Sequence, residues 1–409
     1  MGNLISQSGD WMDQVAFSWL IYEMTHSTVS LALVNVCRAG PILFFTLIGG
    51  VIADRVERRK LLFSTQFILM VLAFVLAGLL TLGYLQVWMA FAIAIARGVT
   101  NSFNQPARQS LISDLVPNEI LPNAVALNSA TLNMTRVIGP ASGGILIATI
   151  GVSGAFYINA VTFIAVLYGL YLMQFPPKEA TGKKRESILS DLRAGFAYLQ
   201  REKPLRLLVI MALVPMVLGQ PYQTMLTVFA KDVFESGSQG LGLMQSVAAL
   251  GSLTGAIVIA SQRESRNFSL KMLLGLVGFG GGLLIFCFTP SMLVALVPLY
   301  LAGIFMQTYQ VSNNTLLQMK VDPEYRGRVL STLFLQRGMV PLGTMFAGVL
   351  TTVVGPRVAL GGMAFALVVI GILIIPYALP MLNKLTGGSD TPITLRRPGG
   401  RRRAEATEG

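Results

Sequence analysis

The chain has 409 residues, 53% of them hydrophobic and only 12% charged, with a mean hydropathy of +0.64. Soluble domains carry about 25% charged residues, so a soluble multidomain protein is excluded and a polytopic membrane protein is expected. The net charge of +12 then asks on which side of a bilayer the basic residues sit; nucleic acid is not an expected partner. In chain order, apolar runs long enough to cross a bilayer fall at 1–24, 28–53, 61–82, 87–108, 122–149 and 152–173. A polar stretch, 174–204, follows. Six further runs fall at 205–229, 239–260, 270–289, 292–316, 329–353 and 358–380, before a polar tail over 383–409.

The expected fold is all-α, with twelve transmembrane helices in two pseudo-symmetric six-helix bundles, 1–173 and 205–382. A cytoplasmic linker joins them and a disordered basic tail ends the chain. In the linker, Ile188, Leu189, Leu192, Phe196 and Leu199 fall at helical spacing, which predicts an amphipathic helix on the inner membrane surface. The first run opens at Met1-Gly2-Asn3 with no basic flank, so the first helix is expected to be truncated at its start, with a basic leader upstream. With both termini inside, 24 of the 31 basic residues fall in inner segments and two, Lys231 and Arg357, in outer ones. That asymmetry sets the orientation. Cys37 and Cys287 lie far apart in apolar runs and His26 is the single histidine, so no disulfide framework, thiol metal site or haem site is expected.

The halves repeat at an offset of 204, pairing Val125–Gly151 with Val329–Gly355, Gly144 with Gly348 and Ile150-Gly151 with Val354-Gly355. Two parallel bundles related by an axis along the membrane normal form a transporter architecture. Polar residues mark the first helix of each three-helix unit. The first span carries Asn3, Ser6, Gln7, Asp10, Asp13 and Gln14, and the fourth carries Arg97, Asn101, Asn104, Gln105 and Arg108. The seventh carries Gln220, Gln223, Thr224 and Thr227, and the tenth Gln307, Gln310, Asn313 and Asn314. Such stripes either hydrogen-bond neighbouring helices or line a wet cavity. Recurrence at every third helix favours the cavity. Its candidate lining is Gln7, Gln14, Arg38, Asn101, Asn104, Asn133, Arg136, Gln220, Gln223, Gln307, Gln310, Asn314 and Arg337. Asp13, Arg38, Arg97 and Arg136 fall near mid-membrane, with Asp10 slightly inward. Mutual pairing is expected there, either as a static ion pair or as a proton- or substrate-binding centre.

Several segments resemble the major facilitator superfamily. Gly50-Val-Ile-Ala-Asp54-Arg55-Val-Glu57-Arg58-Arg59-Lys60 is similar to its signature between the second and third spans, with Glu57 at a usual glycine. Arg97 stands where the superfamily carries an intramembrane arginine. Thr135-Arg-Val-Ile-Gly139-Pro140-Ala-Ser-Gly143-Gly144 is similar to the antiporter signature of the fifth span. Ser8-Gly9-Asp10-Trp11, Asn104-Gln-Pro-Ala-Arg108 and Val116-Pro-Asn-Glu119 look like the bacterial branch that includes enterobactin exporters and macrolide efflux proteins.

The resemblance implies a monomeric inner-membrane carrier that exports a small organic molecule, drug- or siderophore-like, by proton antiport and alternating access. Asp10, Asp13 and Arg97 are then the proton-coupling candidates, and Gly50, Asp54, Arg55, Arg58 and Arg59 a cytoplasmic latch. Gly139, Pro140, Gly143 and Gly144 form a helix-bend and packing element. No cofactor is expected beyond a proton gradient, and no Gly-x-x-x-x-Gly-Lys-Ser/Thr segment points to ATP. Nor does any Ser/His/Asp set point to an enzyme. The rival readings are an importer or facilitator of the same fold, and a non-transporting receptor or lipid-handling membrane protein.

Overall fold

Polar turns and helix-breaking residues divide the chain into helices that fall on the expected spans. The computed structural model describes residues 2–55, 57–115, 120–172, 202–262, 267–321 and 326–385. Among them all regular structure is helical. The first half comprises α1 (Gly2–Thr25), α2 (Thr28–Arg55), α3 (Arg58–Thr81), α4 (Val87–Leu115) and α5 (Leu121–Leu172). The second comprises α6 (Lys203–Leu218), α7 (Tyr222–Val228) with a π turn (Phe229–Val233), α8 (Gly237–Ser261), α9 (Phe268–Phe288), α10 (Met292–Lys320), α11 (Arg326–Val354) and α12 (Pro356–Leu385). Most of the expected linker, the tail beyond 385 and the loops carrying Pro117 and Pro323 lie outside the described residues.

Local chemistry explains the breaks. Between α1 and α2 the Ser27 hydroxyl accepts the Ser30 N–H at 3.2 Å, satisfying one open donor of the first turn of α2. α5 is two legs joined at Gly151, where φ is 79° and ψ 172°. Gly355, between α11 and α12, repeats that φ of 79°, so the same turn occurs twice at the repeat offset.

The run expected as one span at 205–229 departs from its simple form. It breaks between α6 and α7, because Pro221 has no N–H to continue the ladder. The N–H groups of Gly219 and Gln220 both turn back to the Pro215 carbonyl, at 2.9 and 2.8 Å. The chain restarts at Tyr222 and closes in the π turn, with Phe234 N–H on the Phe229 carbonyl at 2.8 Å.

Seven helical segments of the described residues are long and apolar enough to cross a membrane by length and composition, the two legs of α5 counting as one and α6, α7 and the π turn as another. α1 and α4 are not among them. Each loses apolar character to the charged and amide side chains along its stripe, a composition tolerated only where it faces protein or water. Around the outside, Phe67, Ile68, Val71, Leu127, Ile164, Leu293, Val297 and Leu373 are exposed, a surface suited to hydrocarbon.

Inside the first half, α1 packs on α5, α2 on α4, and α3 on both α4 and α5. In the second, α8 and α9 pack on α10, α9 on α12, and α6 on α11. The halves meet along α5–α8 and α2–α11. These two seams are equivalent under the repeat. A Cβ at Gly144 would lie 2.5 Å from the Ser238 carbonyl oxygen of α8, and one at Gly348 would lie 2.9 Å from the Thr28 carbonyl oxygen of α2. Only hydrogen at these Cα atoms lets the backbones approach so closely.

Candidate functional site

A buried ion pair sits at the centre of the first half. Arg97 of α4 donates from Nη1 to Asp13 Oδ2 of α1 at 2.6 Å, with both residues under 7% exposed. Asn159, in the second leg of α5, donates to Asp13 Oδ1 at 3.2 Å. Both carboxylate oxygens are therefore engaged, as a buried charge requires. Gly9, one turn before Asp13, makes room for this: a Cβ there would lie 2.6 Å from Asn159 Oδ1. The Arg97 guanidinium also lies 5.5 Å from the Phe17 ring centroid and 6.0 Å from that of Phe156. Its Nη2 is buried with no hydrogen-bond partner among the described residues. Arg38 of α2 lies 6.0 Å from the same Phe17 ring.

Asp10 sits differently. Its carboxylate is 3.9 Å from Arg108 Nη1, and its side chain is half exposed where that of Asp13 is 8% exposed. One acid is thus locked between helices and the other stands in the open part of the same stripe.

Between the halves lies a cavity. From the first half come Trp11, Gln14, Arg136 and Pro140, and from the second Gln220, Tyr222, Gln223, Gln245, Ser252, Gln307 and Gln310, with Leu226, Ala248, Ala249 and Met306 between them. Arg136 lies 5.6 Å from the Trp11 ring centroid. Gln220, Tyr222 and Gln223, at and just after the break between α6 and α7, line this space.

The cavity is bounded by close helix contacts. A Cβ at Gly139 would lie 2.5 Å from Trp11 Cβ, and one at Gly143 would lie 3.0 Å from Met12 Cα, so α5 rides directly on α1. α5 remains helical through Pro140, and its departure from helical backbone comes at Gly151. The Gly139-to-Gly144 segment presents its glycines as a packing surface to α1 and α8.

Contacts between the halves run from the end holding the α1–α2 turn down to mid-helix, among the described residues. Tyr22 Oη donates to Asp232 of the π turn. The ammonium of Lys231 lies 5.6 Å from the Trp19 ring centroid and 5.8 Å from that of Tyr22. Thr28 Oγ1 donates to the Gly348 carbonyl at 2.8 Å, Ser238 Oγ to that of Gly144 at 3.1 Å, and Ser246 Oγ to that of Val137 at 2.6 Å.

Of the residues singled out in the sequence, Gln14, Arg136, Gln220, Gln223, Gln307 and Gln310 line the cavity. Asn104 instead donates to Thr65 Oγ1 of α3 at 3.0 Å, and Asn133 to the Ser129 carbonyl of its own helix at 2.9 Å. Gln7 is buried, and Asn101 and Asn314 are half-buried outside the cavity lining. Arg59 donates from Nη2 to the Tyr171 carbonyl at 2.7 Å, tying the start of α3 to the end of α5. Gly50 and Asp54 lie on α2 as backbone, and the side chains of Asp54, Arg55, Arg58 and Arg337 lie outside the described residues. Sequence reasoning missed Asn159, Gln245 and the Tyr22–Asp232 contact. Asn159 had a readable signal, an amide alone in the run Phe156-Tyr-Ile-Asn159-Ala-Val.

Comparison with known proteins gives this arrangement a family. A family model described as "Transmembrane secretion effector" matches residues 1–394. The chain is similar to the staphyloferrin A transporter of Staphylococcus aureus, 28% identical over 85% of this chain and 87% of that one. It is also similar to the enterobactin exporter EntS of Shigella flexneri, 28% identical over 88% of this chain and 86% of that one. The multidrug efflux pump Tap of Mycolicibacterium fortuitum is 24% identical over 93% and 95%. Among solved structures, a bacterial homologue of the human lysosomal transporter Spinster superposes with a TM-score of 0.73 at 16% identity, covering 94% of this chain and 96% of that one. The nucleoside transporter NupG follows at TM-scores of 0.70 and 0.67, with 13% and 14% identity, in two structures. The chain belongs to the transmembrane secretion effector family of the major facilitator superfamily, and it is a multi-pass membrane transporter rather than an enzyme.

Proposed function

We propose that this transporter exports a small organic molecule, siderophore- or drug-like, in exchange for protons by alternating access. The observation that carries the reading is the pair of unlike carboxylates on α1, the helix whose Trp11 and Gln14 form part of the wall of a polar cavity between the halves. Asp13 is fixed by Arg97 and Asn159, whereas Asp10 is half exposed and held loosely by Arg108. A loosely held, half-exposed acid on the helix that also carries Trp11 and Gln14 of the cavity wall has access to protons from solvent. Its charge can then alternate with the occupancy of the cavity. The locked pair holds α1, α4 and α5 in register while that happens.

Both termini are assigned to the cytoplasm of a bacterial cell on the distribution of basic residues. On that orientation the Tyr22–Asp232, Thr28–Gly348 and Ser238–Gly144 contacts form an outer closure. The Gly50-to-Lys60 segment falls on the inner side, where its charges suit a latch for the opposite state. The names of the relatives, two siderophore transporters and a multidrug efflux pump, support export and are compatible with several substrate classes.

The test uses inverted membrane vesicles with an acid lumen and a lumenal pH dye, challenged with siderophores, macrolides and cationic dyes. A proton-coupled exporter accumulates a probe in the lumen and raises lumenal pH as it does so. An importer or facilitator of the same fold does not concentrate any probe in the acid lumen, and a non-transporting receptor moves none.

A further inference from the structure

The charges around the centre of the first half do not balance. Arg38, Arg97, Arg108 and Arg136 stand against the two carboxylates Asp10 and Asp13. Asp13 is taken by Arg97 at 2.6 Å and Asp10 by Arg108 at 3.9 Å. Arg38 and Arg136 have no carboxylate within ion-pair distance among the described residues; each lies over an aromatic ring, Arg38 over Phe17 and Arg136 over Trp11. Arg136 is the exposed one of the two and lines the cavity. It lies on the first leg of α5 roughly 20 Å from either end, at about 1.5 Å per residue, which is mid-depth in a bilayer core of about 30 Å. A guanidinium at that depth is costly unless something anionic or strongly hydrating meets it.

The rest of the lining has no negative charge to offer or to repel. Gln14, Gln220, Gln223, Gln245, Gln307 and Gln310 supply amides that both donate and accept, and Tyr222 supplies a hydroxyl. A cationic ligand would find no anionic residue on this wall and one fixed positive charge facing it. A ligand bearing carboxylates or other anionic oxygens would meet Arg136, whose planar fork suits bidentate oxygen pairs. It would also meet a ring of amide donors for its remaining oxygens.

We propose that the transported molecule is a small, oxygen-rich organic anion, and that Arg136, seated on the Trp11 ring, is the specificity-determining anchor for its negative group. This rests on the transport reading of the same cavity and narrows its substrate class. Trp11, 5.6 Å from the guanidinium, packs against it on the cavity wall, and the glutamines of the second half bind the neutral polar remainder of the ligand.

The test measures binding to the full chain in lipid nanodiscs without any gradient, by tryptophan fluorescence and thermal shift. The probes are citrate, its neutral trimethyl ester and the cationic dye ethidium. Citrate should bind at least tenfold more tightly than the ester and protect the protein against ethidium only by exclusion from a shared cavity. Arg136→Gln should remove the preference for citrate over the ester, and Arg136→Lys should keep part of it. If Arg136→Gln fails to fold, the comparison of citrate with its ester on the unaltered chain still decides. Equal or reversed affinities, ethidium binding more tightly than citrate, or no binding of citrate each overturns the proposal. Because no gradient is present, that failure leaves proton-coupled export standing. A loss of gradient-driven transport with citrate binding intact would do the opposite.

Discussion

The two halves share a backbone plan but not a chemistry. The seams they form are equivalent: Gly144 of α5 rests on α8, and Gly348, 204 residues later, rests on α2. The turns at Gly151 and Gly355 have the same φ of 79°. Yet the first half places Asp13, Arg97, Arg38 and Arg136 at its centre, whereas the second half brings glutamines, Tyr222 and small residues to the cavity. The repeat keeps the close helix contacts and varies the side chains that reach the cavity. On the proposed function, charge movement belongs to the first half and neutral recognition to the second.

The sharpest way to break this division is to disturb the ion pair. Asp13→Asn leaves Arg97 buried without its counter-charge, a loss of about 3–5 kcal/mol for removing one partner of a buried pair. The melting temperature of the purified protein should fall by several degrees or the yield collapse. Gln223→Ala, across the cavity, should stay within about 1 kcal/mol of the parent. Similar losses for both would erase the distinction between the halves.

A second experiment probes the shared plan. A side chain at Gly144 would press on the backbone of Ser238 and Gly242, and one at Gly348 on that of Thr28 and Ala32 Cβ. Gly144→Leu and Gly348→Leu should each cut transport by tenfold or more while leaving expression near normal. Each should also raise the labelling of cysteines placed beside Tyr22. Unequal effects would mean that the two seams are not mechanically equivalent.

Much of this was legible in the sequence. Apolar runs placed the helices, and the offset of 204 paired Gly144 with Gly348, because helix spans and close packing leave periodic, local marks; that these two glycines lie where the halves meet came only with the structure. The partners across the bundle were less legible. The stripes on α1 and α4 placed Asp13 and Arg97 at the same depth, but the third member, Asn159, depends on how the second leg of α5 folds back at Gly151. Asn104 lies on the same α4 stripe as Arg97 yet turns to Thr65, since a stripe fixes a face and not the neighbour that meets it. The break before Tyr222 was hidden because Gly219-Gln-Pro221 lies inside an otherwise apolar run.

Two smaller effects refine the comparison. Tyr22→Phe removes the hydroxyl donated to Asp232. A bond to a charged group contributes about 1.5–3 kcal/mol when buried and less at a wet end, so a several-fold shift towards the open state is expected. Cysteine labelling at the α1–α2 end reads this directly, and unchanged labelling would remove the contact from the closure. Gln310→Ala should raise KM a few-fold with kcat and gradient dependence unchanged, as expected for a side chain that binds without taking part in coupling.

The central claim is that a loosely held acid on α1 couples protons to export. Proteoliposomes carrying the parent or Asp10→Asn are given a pH gradient, with whichever probe the inverted vesicles show to be exported. The account predicts that the mutant folds, binds the probe and exchanges it across the membrane without a gradient, but no longer concentrates it when the gradient is applied. Full gradient-driven accumulation by Asp10→Asn would contradict it.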